Sequence, residues 1–360
     1  MRTNEDTQPA LKDVFKDDFY IGAALNMDQI SGNEPDSIAL VEKHFNSITP
    51  ENILKWEEVH PKPDKYNFEP SDRFVAFGEK HKMHIIGHNL VWHNQTPEWV
   101  FQDESGKPLN RERLLERMKE HILTVVGRYK GRIHGWDVVN EAILPDGQLR
   151  KTKWFEIIGE DYLVNAFKFA RQADPDAELY YNDYNMWKPP QYEGVIRLIQ
   201  DLQSKGVQID GLGIQGHWAL DYPPLDEIET AIKALSILGV KLMITELDVC
   251  VIPFADHYHN LIDLSSLEPE VQKKLSPYPD ALPDSVQKEL AERYAELFSL
   301  FLEYNIRRVT FWAVHDGQSW RSYMPIRGRT DYPMLFDRNC KPKPAFDAVV
   351  KTIQSKKVKS

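Results

Sequence analysis

The sequence predicts a single (β/α)8 barrel, an α/β fold in which eight parallel strands alternate with helices. Two observations predict this fold. Short runs rich in apolar, β-branched and aromatic residues recur along the chain, and longer segments with helical periodicity separate them. The chain has 360 residues, of which 42% are hydrophobic, and one barrel domain commonly has this length and composition.

Each predicted strand is a short run in which apolar residues predominate. The eight runs are Tyr20–Leu25, Ser47–Thr49, His84–His88, Ile133–Val139, Glu178–Asn182, Gly211–Gln215, Lys241–Thr245 and Arg308–Ala313. The clearest helical patterns between them are Arg111–Tyr129, Leu163–Ala173, Tyr192–Lys205, Leu225–Leu238 and Val286–Tyr304. Unusual polar and aromatic residues follow the apolar part of each strand, and in a barrel these strand ends form the catalytic face.

The remaining segments define the limits of the domain. The long, proline-bearing stretch Ile252–Asp284 predicts an enlarged loop after strand seven, and Pro325–Tyr332 predicts another after strand eight. We expect one barrel domain at residues 11–350. It follows a polar leader at residues 1–10 and precedes a basic tail at residues 351–360, which we expect to fray.

Composition excludes several classes of partner. With 44 Lys and Arg against 55 Asp and Glu, the net charge of −11 disfavours nucleic acid and anionic membranes. The sequence contains no run of about 18 apolar residues, so it predicts no membrane-spanning helix. The leader resembles the stub that follows a removed signal, which favours an extracellular or periplasmic protein, with a cytoplasmic one as the alternative. Cys250 and Cys340 match no metal-ligand spacing and are interpreted as free thiols, with a disulfide between them as the alternative.

Two motifs carry the candidate chemistry. W-D-V-V-N-E-A (136–142) and I-T-E-L-D-V (244–249) each end an apolar strand core on a glutamate, Glu141 after strand four and Glu246 at the end of strand seven. These strands lie on opposite sides of a barrel, so the two carboxyl groups can face each other. Glycoside cleavage needs such a pair: a separation of about 5–5.5 Å gives retention of configuration and about 6.5–9.5 Å gives inversion. The nine Trp and fifteen Tyr residues also favour a sugar site.

Eight motifs in order, from about Leu11 to Val350, resemble the glycoside hydrolase family 10 xylanases. They are G-A-A-L-N (22–26), T-P-E-N-I-L-K-W (49–56), G-H-N-L-V-W-H (87–93), W-D-V-V-N-E-A (136–142), Y-N-D-Y-N (181–185), I-Q-G-H-W (214–218), I-T-E-L-D-V (244–249) and T-F-W-A-V-H-D-G-Q-S-W-R (310–321). The resemblance implies a retaining endo-1,4-β-xylanase that acts on xylan or xylo-oligosaccharides without a cofactor or a metal ion. We expect it to be a monomer.

The resemblance also implies residue roles. Glu141 would be the acid/base and Glu246 the nucleophile, while Asn140 would bind the sugar 2-hydroxyl. His217 would contact the nucleophile, and Asp248 would orient His217. We expect the pKa of Glu141 to be raised by partial burial and by the charge on Glu246, so that the pair holds one proton.

The expected substrate-binding residues lie in the loops that follow the strands. They are Glu51, Asn52, Lys55, His88, Trp92, Tyr184, Gln215, Trp312, Trp320 and Arg321. Gln215 lies two positions before His217, so a continuous strand would place both side chains on one face. His315 replaces the small polar residue of many relatives, which affects the expected chain-length preference and not the chemistry.

Two alternatives stay open at this point, and two further patterns are assigned no role. A β-1,4-glucanase would share the barrel and the carboxylate pair, although bulky Trp320 disfavours the hydroxymethyl group of glucose. An inactive carbohydrate-binding barrel would be expected to lack one of the two glutamates. His88 and His93 suggest a metal site, but no further ligand has zinc-like spacing. Asn94-Gln95-Thr96 matches a glycosylation acceptor, but a glycan there would obstruct the cleft, so we assign it no function.

Overall fold

Eight parallel strands close into a barrel in the computed structural model, which describes residues 8–255, 258 and 260–359. The strands, in chain order, are β1 (Tyr20–Leu25), β2 (Ser47–Pro50), β3 (His84–Val91), β4 (Gly135–Asn140), β5 (Glu178–Asp183), β6 (Gly211–Ile214), β7 (His217–Ala219), β8 (Lys241–Cys250), β9 (Ile262–Asp263), β10 (Arg308–Phe311) and β11 (Ile326–Arg327). Strands β1 to β6, β8 and β10 form the barrel, which closes where β10 pairs with both β8 and β1. The predicted fold is therefore confirmed.

Helices surround the barrel. They are α1 (Leu11–Val14), α2 (Met27–Ser31), α3 (Pro35–His44), α4 (Trp56–Val59), α5 (Glu69–Lys80), α6 (Arg111–Arg128), α7 (Lys153–Ile158), α8 (Tyr162–Ala173), α9 (Pro189–Ser204), α10 (Leu225–Ser236), α11 (Pro269–Leu275), α12 (Asp284–Glu303) and α13 (Pro344–Lys359). Local sequence fixes several starts. The Asn110 side chain caps α6, the Thr152 side chain caps α7, and proline opens α9.

The strands form because their residues are apolar on both faces. Every residue of β4 is buried, as are all but the first residues of β1, β3, β5 and β8. One face packs inside the barrel, and the other packs against the buried stripe of the surrounding helices, forming one main core. Among the described residues, no helix is long and apolar enough to cross a membrane.

Strand seven of the barrel, β8, is longer than expected. The sequence predicts that it stops at Thr245, but it continues to Cys250, because the short strand β7 pairs with its second half at His217 and Asp248. Glu246 thus lies within a strand and not at its end. Strand β6 stops at Ile214, and Gly216 adopts a left-handed φ of 81° before β7 begins.

The enlarged loops after β8 and β10 contain short elements of their own. Strands β9 and β11 pair in parallel and join the two loops, and helix α11 follows β9. At the end of the chain, the expected boundary at Lys351 falls inside α13, so the chain does not become irregular there. Residues 1–7 of the predicted leader and Ser360 lie outside the described residues. Both cysteines are free.

Candidate active site

The two motif glutamates share one buried hydrogen-bond network at the carboxyl ends of the strands. The Glu141 amide donates to the carbonyl of Asn182 at 2.9 Å, which links the turn after β4 to β5. The Asn182 side chain then donates to Glu246 Oε1 at 2.7 Å and to Asn140 Oδ1 at 2.9 Å. Asn140 Nδ2 lies 3.4 Å from Glu141 Oε1. A chain of two amides therefore joins the carboxyl groups across the barrel.

Glu246 faces a cation. Nε2 of His217 lies 3.1 Å from Glu246 Oε2, and Nδ1 of His217 lies 2.8 Å from Asp248 Oδ2. Because both ring nitrogens face carboxylate oxygens, both must donate, so the ring carries a positive charge. Burial alone lowers the pKa of His217, but the charge and hydrogen bonds of Asp248 and Glu246 outweigh it and raise that pKa to about 9.

The electrostatics keep Glu246 ionised. Its side chain is 7% exposed, and burial by itself raises its pKa. The hydrogen bond from His217 and the nearby imidazole charges outweigh burial, so the net pKa lies below the ordinary value. The pKa of Asp248 is also lowered, because the charge of His217 overcomes the effect of burial there. Nε1 of Trp320 donates to Asp248 Oδ2 at 2.8 Å and completes the support.

Glu141 has the opposite environment. Nε1 of Trp92 donates to Glu141 Oε2 at 2.9 Å, and Nε2 of Gln215 donates to Glu141 Oε1 at 3.0 Å. Burial raises the pKa of Glu141; these two neutral donors oppose the rise, and the charge on Glu246 adds to it. The net pKa is raised. One carboxyl group is thus biased to hold a proton and the other to release it.

A lysine from the loop after β2 lies close enough to both carboxyl groups for their charges to act on it. Nζ of Lys55 donates to Asn52 Oδ1 at 2.9 Å and to Gln95 Oε1 at 2.8 Å, and it lies 4.9 Å from the centroid of the Trp92 ring. Burial lowers the pKa of Lys55, while the charges of Glu246, Glu51 and Glu141 act against that shift. Burial raises the pKa of the neighbouring Glu51.

Aromatic rings and histidines form the remaining walls. Nδ1 of His88 lies 2.9 Å from Asp137 Oδ2, and the Trp312 ring packs edge-on against His88 with centroids 5.3 Å apart. Trp320 packs in the same way against His217, at 5.2 Å. These contacts fix the orientation of the Trp312 ring against β3 and of the Trp320 ring against β7.

The last predicted site residues reach the network through neighbouring side chains. Nη2 of Arg150 donates to the Tyr184 hydroxyl at 2.8 Å, and its Nε donates to the Glu141 carbonyl at 3.0 Å. Arg321 is buried, with its guanidinium 4.5 Å from the Phe254 ring centroid and its Nε 3.8 Å from Asp248 Oδ1. Contacts therefore link the fifteen predicted residues to one another at this end of the barrel.

Some expectations need correction. Gln215 and His217 do not lie on one continuous strand, because the left-handed Gly216 separates β6 from β7, and they contact different glutamates. Trp92 and Trp320 are expected to bind sugar, and each ring nitrogen also donates to a carboxylate of the site. Arg321 likewise faces Asp248.

Sequence reasoning missed three residues of the network. Asn182 lies within a motif but has no expected role, although its position at the end of a predicted strand is a usable signal. Gln95 belongs to the glycosylation pattern, which was assigned no function, yet it binds both Lys55 and Asn52, the latter at 3.3 Å from its Nε2. No local pattern indicates Arg150, which lies in the loop after β4.

Among the described residues, no group of three or more His, Cys, Asp or Glu side chains is arranged to hold a metal ion. The arrangement can instead move protons and attack an electrophilic carbon. A barrel whose carboxyl-end cleft holds one carboxyl group with a raised pKa and one with a lowered pKa has the site of a glycoside hydrolase.

Comparison with known proteins identifies the family. The family model described as Glycosyl hydrolase family 10 matches residues 10–352, so the chain belongs to this family. Endo-1,4-beta-xylanase A of Xylanibacter ruminicola is 44% identical over 346 residues, which cover 96% of this chain and 93% of that protein. An endo-1,4-beta-xylanase of Geobacillus stearothermophilus is 42% identical over 95% of this chain and 98% of its own length.

A solved structure agrees with the fold. The structure of a GH10 endoxylanase from a sugarcane soil metagenome superposes with a TM-score of 0.90 at 44% sequence identity, covering 96% of this chain and 100% of that one. The fold of this chain therefore matches that of a family member over nearly its whole length.

Proposed function

We propose that this chain is a retaining endo-1,4-β-xylanase, with Glu246 as nucleophile and Glu141 as acid/base. The observation that carries the proposal is the buried network that joins two carboxyl groups whose pKa values are shifted in opposite directions. The substrate class is supported by the names of the relatives, which are endo-1,4-β-xylanases at 42% to 44% identity.

The first step forms a covalent intermediate. A carboxylate oxygen of Glu246 attacks the anomeric carbon while the bond from that carbon to the glycosidic oxygen breaks, and Glu141 transfers its proton to the departing oxygen. In the second step Glu141, now ionised, takes a proton from water as the water oxygen displaces Glu246. The charge on Glu246 is absent in the intermediate, which lowers the pKa of Glu141 and suits it to act as a base.

The supporting residues follow from their contacts. We expect His217 and Asp248 to keep Glu246 ionised, and Asn140 to bind the 2-hydroxyl of the sugar on the nucleophile. Lys55, Asn52 and Gln95 offer donors and acceptors for sugar hydroxyls beside that position. The rings of Trp312, Trp320 and Tyr184 provide apolar walls.

Variants of the two glutamates test the proposal. Glu246→Ala should abolish hydrolysis of xylan, and added azide should yield a glycosyl azide of inverted configuration with an activated substrate. Glu141→Ala should lose most activity on xylan but far less of the first step with a good leaving group, and azide should give the retained product. Near-normal xylan hydrolysis by Glu246→Ala would contradict the nucleophile assignment.

The rival substrate is β-1,4-glucan, which differs by a hydroxymethyl group on each sugar. The Trp320 ring is fixed by its hydrogen bond to Asp248 and cannot swing away without losing it. We therefore expect faster initial rates on xylan than on carboxymethyl-cellulose. Comparable rates would favour the glucanase alternative, and no reducing-sugar release from either polymer would favour an inactive binding barrel.

We also propose a monomer that acts on xylan outside the cytoplasm, because the polymer cannot enter a cell. Product profiles separate this from the cytoplasmic alternative: rapid release of mixed oligosaccharides from polymeric xylan supports it, whereas activity confined to short oligosaccharides contradicts it. Light scattering at micromolar concentration tests the monomer.

A further inference from the structure

The main chain at Glu141 has an unusual conformation. Its φ is 56°, in the left-handed region that residues with a side chain rarely adopt. Such a conformation persists only where surrounding contacts fix it, and it often occurs where a side chain must be aimed. The contacts to the side chain itself, from Trp92 and Gln215, do not hold the main chain that follows.

Two buried side chains of β5 hold the main chain after Glu141. The Ala142 amide donates to the Tyr181 hydroxyl at 3.0 Å, and the Ile143 amide donates to Asp183 Oδ2 at 3.3 Å. The Tyr181 hydroxyl in turn donates to the same oxygen of Asp183. Two successive amides thus end on one hydroxyl–carboxylate pair.

The pair is itself anchored. Asp183 Oδ1 accepts from the Tyr184 amide at 2.8 Å and from Nε2 of Gln191 at 3.3 Å. Tyr181 and Asp183 have no exposed surface, so neither can touch a substrate. Burial raises the pKa of each residue, and the charge of Glu141 raises the pKa of Asp183 further. Asp183 therefore interacts electrostatically with the Glu141 carboxyl group.

Strand geometry explains why one strand serves both glutamates. Side chains alternate along β5, so Tyr181 and Asp183 point to one face and Asn182 to the other. Asn182 faces into the barrel and holds Glu246, whereas its two neighbours face the turn that carries Glu141. The motif Y-N-D-Y-N therefore contains supports for both carboxyl groups.

We propose that Tyr181 and Asp183 are positioning residues for the acid/base carboxyl of Glu141, acting by fixing the left-handed turn at residues 141–143. This inference rests on the proposed function of Glu141. Loosening the turn leaves the cleft and Glu246 in place but lets the Glu141 carboxyl drift from the glycosidic oxygen. Displacements of about 1 Å can cost about 100-fold in rate. The loss falls on proton transfer and not on nucleophilic attack.

Tyr181→Phe is the sharpest test, because it removes one oxygen and keeps the buried ring. Tyr129→Phe is the matched control, because Tyr129 is also fully buried. Its hydroxyl contacts Ser71 Oγ at 2.7 Å, at the interface of helices α5 and α6 and not at the site. Each variant is assayed for kcat/KM on xylotetraose and on 2,4-dinitrophenyl xylobioside, whose leaving group departs without a proton. Thermal unfolding records the common loss of stability.

We expect Tyr181→Phe to lose about ten-fold or more on xylotetraose and less than about three-fold on the dinitrophenyl substrate. The alkaline limb of its pH profile on xylotetraose should also move. Equal losses on both substrates, or a pattern matching Tyr129→Phe, would overturn the inference. Asp183→Asn, which keeps the shape but removes the charge, should show the same substrate dependence, and an equal loss on both substrates would count against it.

Glu141→Ala separates this inference from the function beneath it. If Glu141→Ala itself shows no dependence on the leaving group, the acid/base assignment fails. If Glu141→Ala shows that dependence while Tyr181→Phe behaves as the wild type on both substrates, only the positioning role of Tyr181 and Asp183 fails.

Discussion

Replacing Asp248 by Asn should move the proton equilibrium that keeps the nucleophile ionised. Asp248 Oδ2 accepts from both His217 Nδ1 and Trp320 Nε1. The Asn oxygen must occupy that position, since the Trp320 N–H needs an acceptor there. Nδ1 of His217 therefore keeps its hydrogen in the variant, and a neutral His217 would present a bare Nε2 to Glu246 Oε2. Two lone pairs would then face each other.

The magnitude follows from the pKa of His217. Burial lowers this pKa, but the carboxylates raise it from 6.5 to about 9, which corresponds to about 3 kcal/mol at 1.36 kcal/mol per pH unit. The charge of Asp248 contributes most to the rise, so the pKa in the variant should return close to 6.5. A cation and a carboxylate about 4 Å apart attract by about 4 kcal/mol at an effective dielectric constant of about 20, enough to account for this.

The assay uses a substrate that does not need the acid. With 2,4-dinitrophenyl xylobioside, kcat/KM reports attack by Glu246 without proton donation from Glu141. The wild-type profile should stay level until His217 deprotonates near pH 9. In Asp248→Asn the decline should begin about two pH units lower, with at least about a ten-fold deficit at about pH 8 and near-equal rates at about pH 5.5.

An identical break in both profiles would refute this reasoning, and so would a uniform loss at every pH. Asp72→Asn is the control, because Asp72 pairs with Arg128 at 2.6 Å outside the cleft network and should leave the profile unchanged. Direct titration of the His217 ring by NMR should give the same two pKa values as the kinetics.

Three further predictions concern the same network. Gly213→Ala should lower kcat on xylan about ten-fold or more, because an added Cβ would lie 2.3 Å from Asn182 Oδ1 and displace the amide that holds the nucleophile. Steady-state kinetics measure this loss of kcat, and a thermal melt measures any accompanying loss of stability. Lys55→Met should raise the pKa of Glu141 further by removing a nearby cation, so the alkaline limb of activity on xylotetraose should move to higher pH while KM rises. Because the folded-state pKa of His217 is raised, its contribution to stability is complete below pH 6.5 and is lost as the pH rises through about 9. The free energy of unfolding measured in urea should therefore fall by up to about 3 kcal/mol across this window, and the His217→Asn variant should not show this fall.

Much of the barrel was predictable because burial on both faces leaves a clear trace in the sequence. Strand β1 has the predicted limits, and β4 and β5 differ from prediction by two residues or fewer at either end. The second half of β8 left no such trace. It forms because β7 pairs with it across about 30 residues of chain, and such pairing depends on a turn at Gly216 that no local pattern reveals.

The site was predictable where a residue follows an apolar run or matches a functional position of the family, and not where tertiary contacts alone bring it to the site. Glu141 and Glu246 stand out because a charged residue after an apolar run is unusual. Gln95 does not, since its left-handed φ of 46° and its bond to Lys55, 40 positions away, are both products of tertiary structure. The same holds for Arg150, whose carbonyl and hydroxyl partners come from separate loops.

The division of labour between the glutamates depends on the kind of donor each one meets. Glu246 faces His217, a fixed cation held by a second carboxylate, so its ionised form is favoured before it attacks and again when water displaces it. The Glu141 carboxyl group accepts its hydrogen bonds from neutral N–H groups, those of Trp92, Gln215 and Asn140. A neutral donor stabilises a carboxylate less strongly than a cationic donor does. Glu141 can therefore hold a proton in one step and release it in the next.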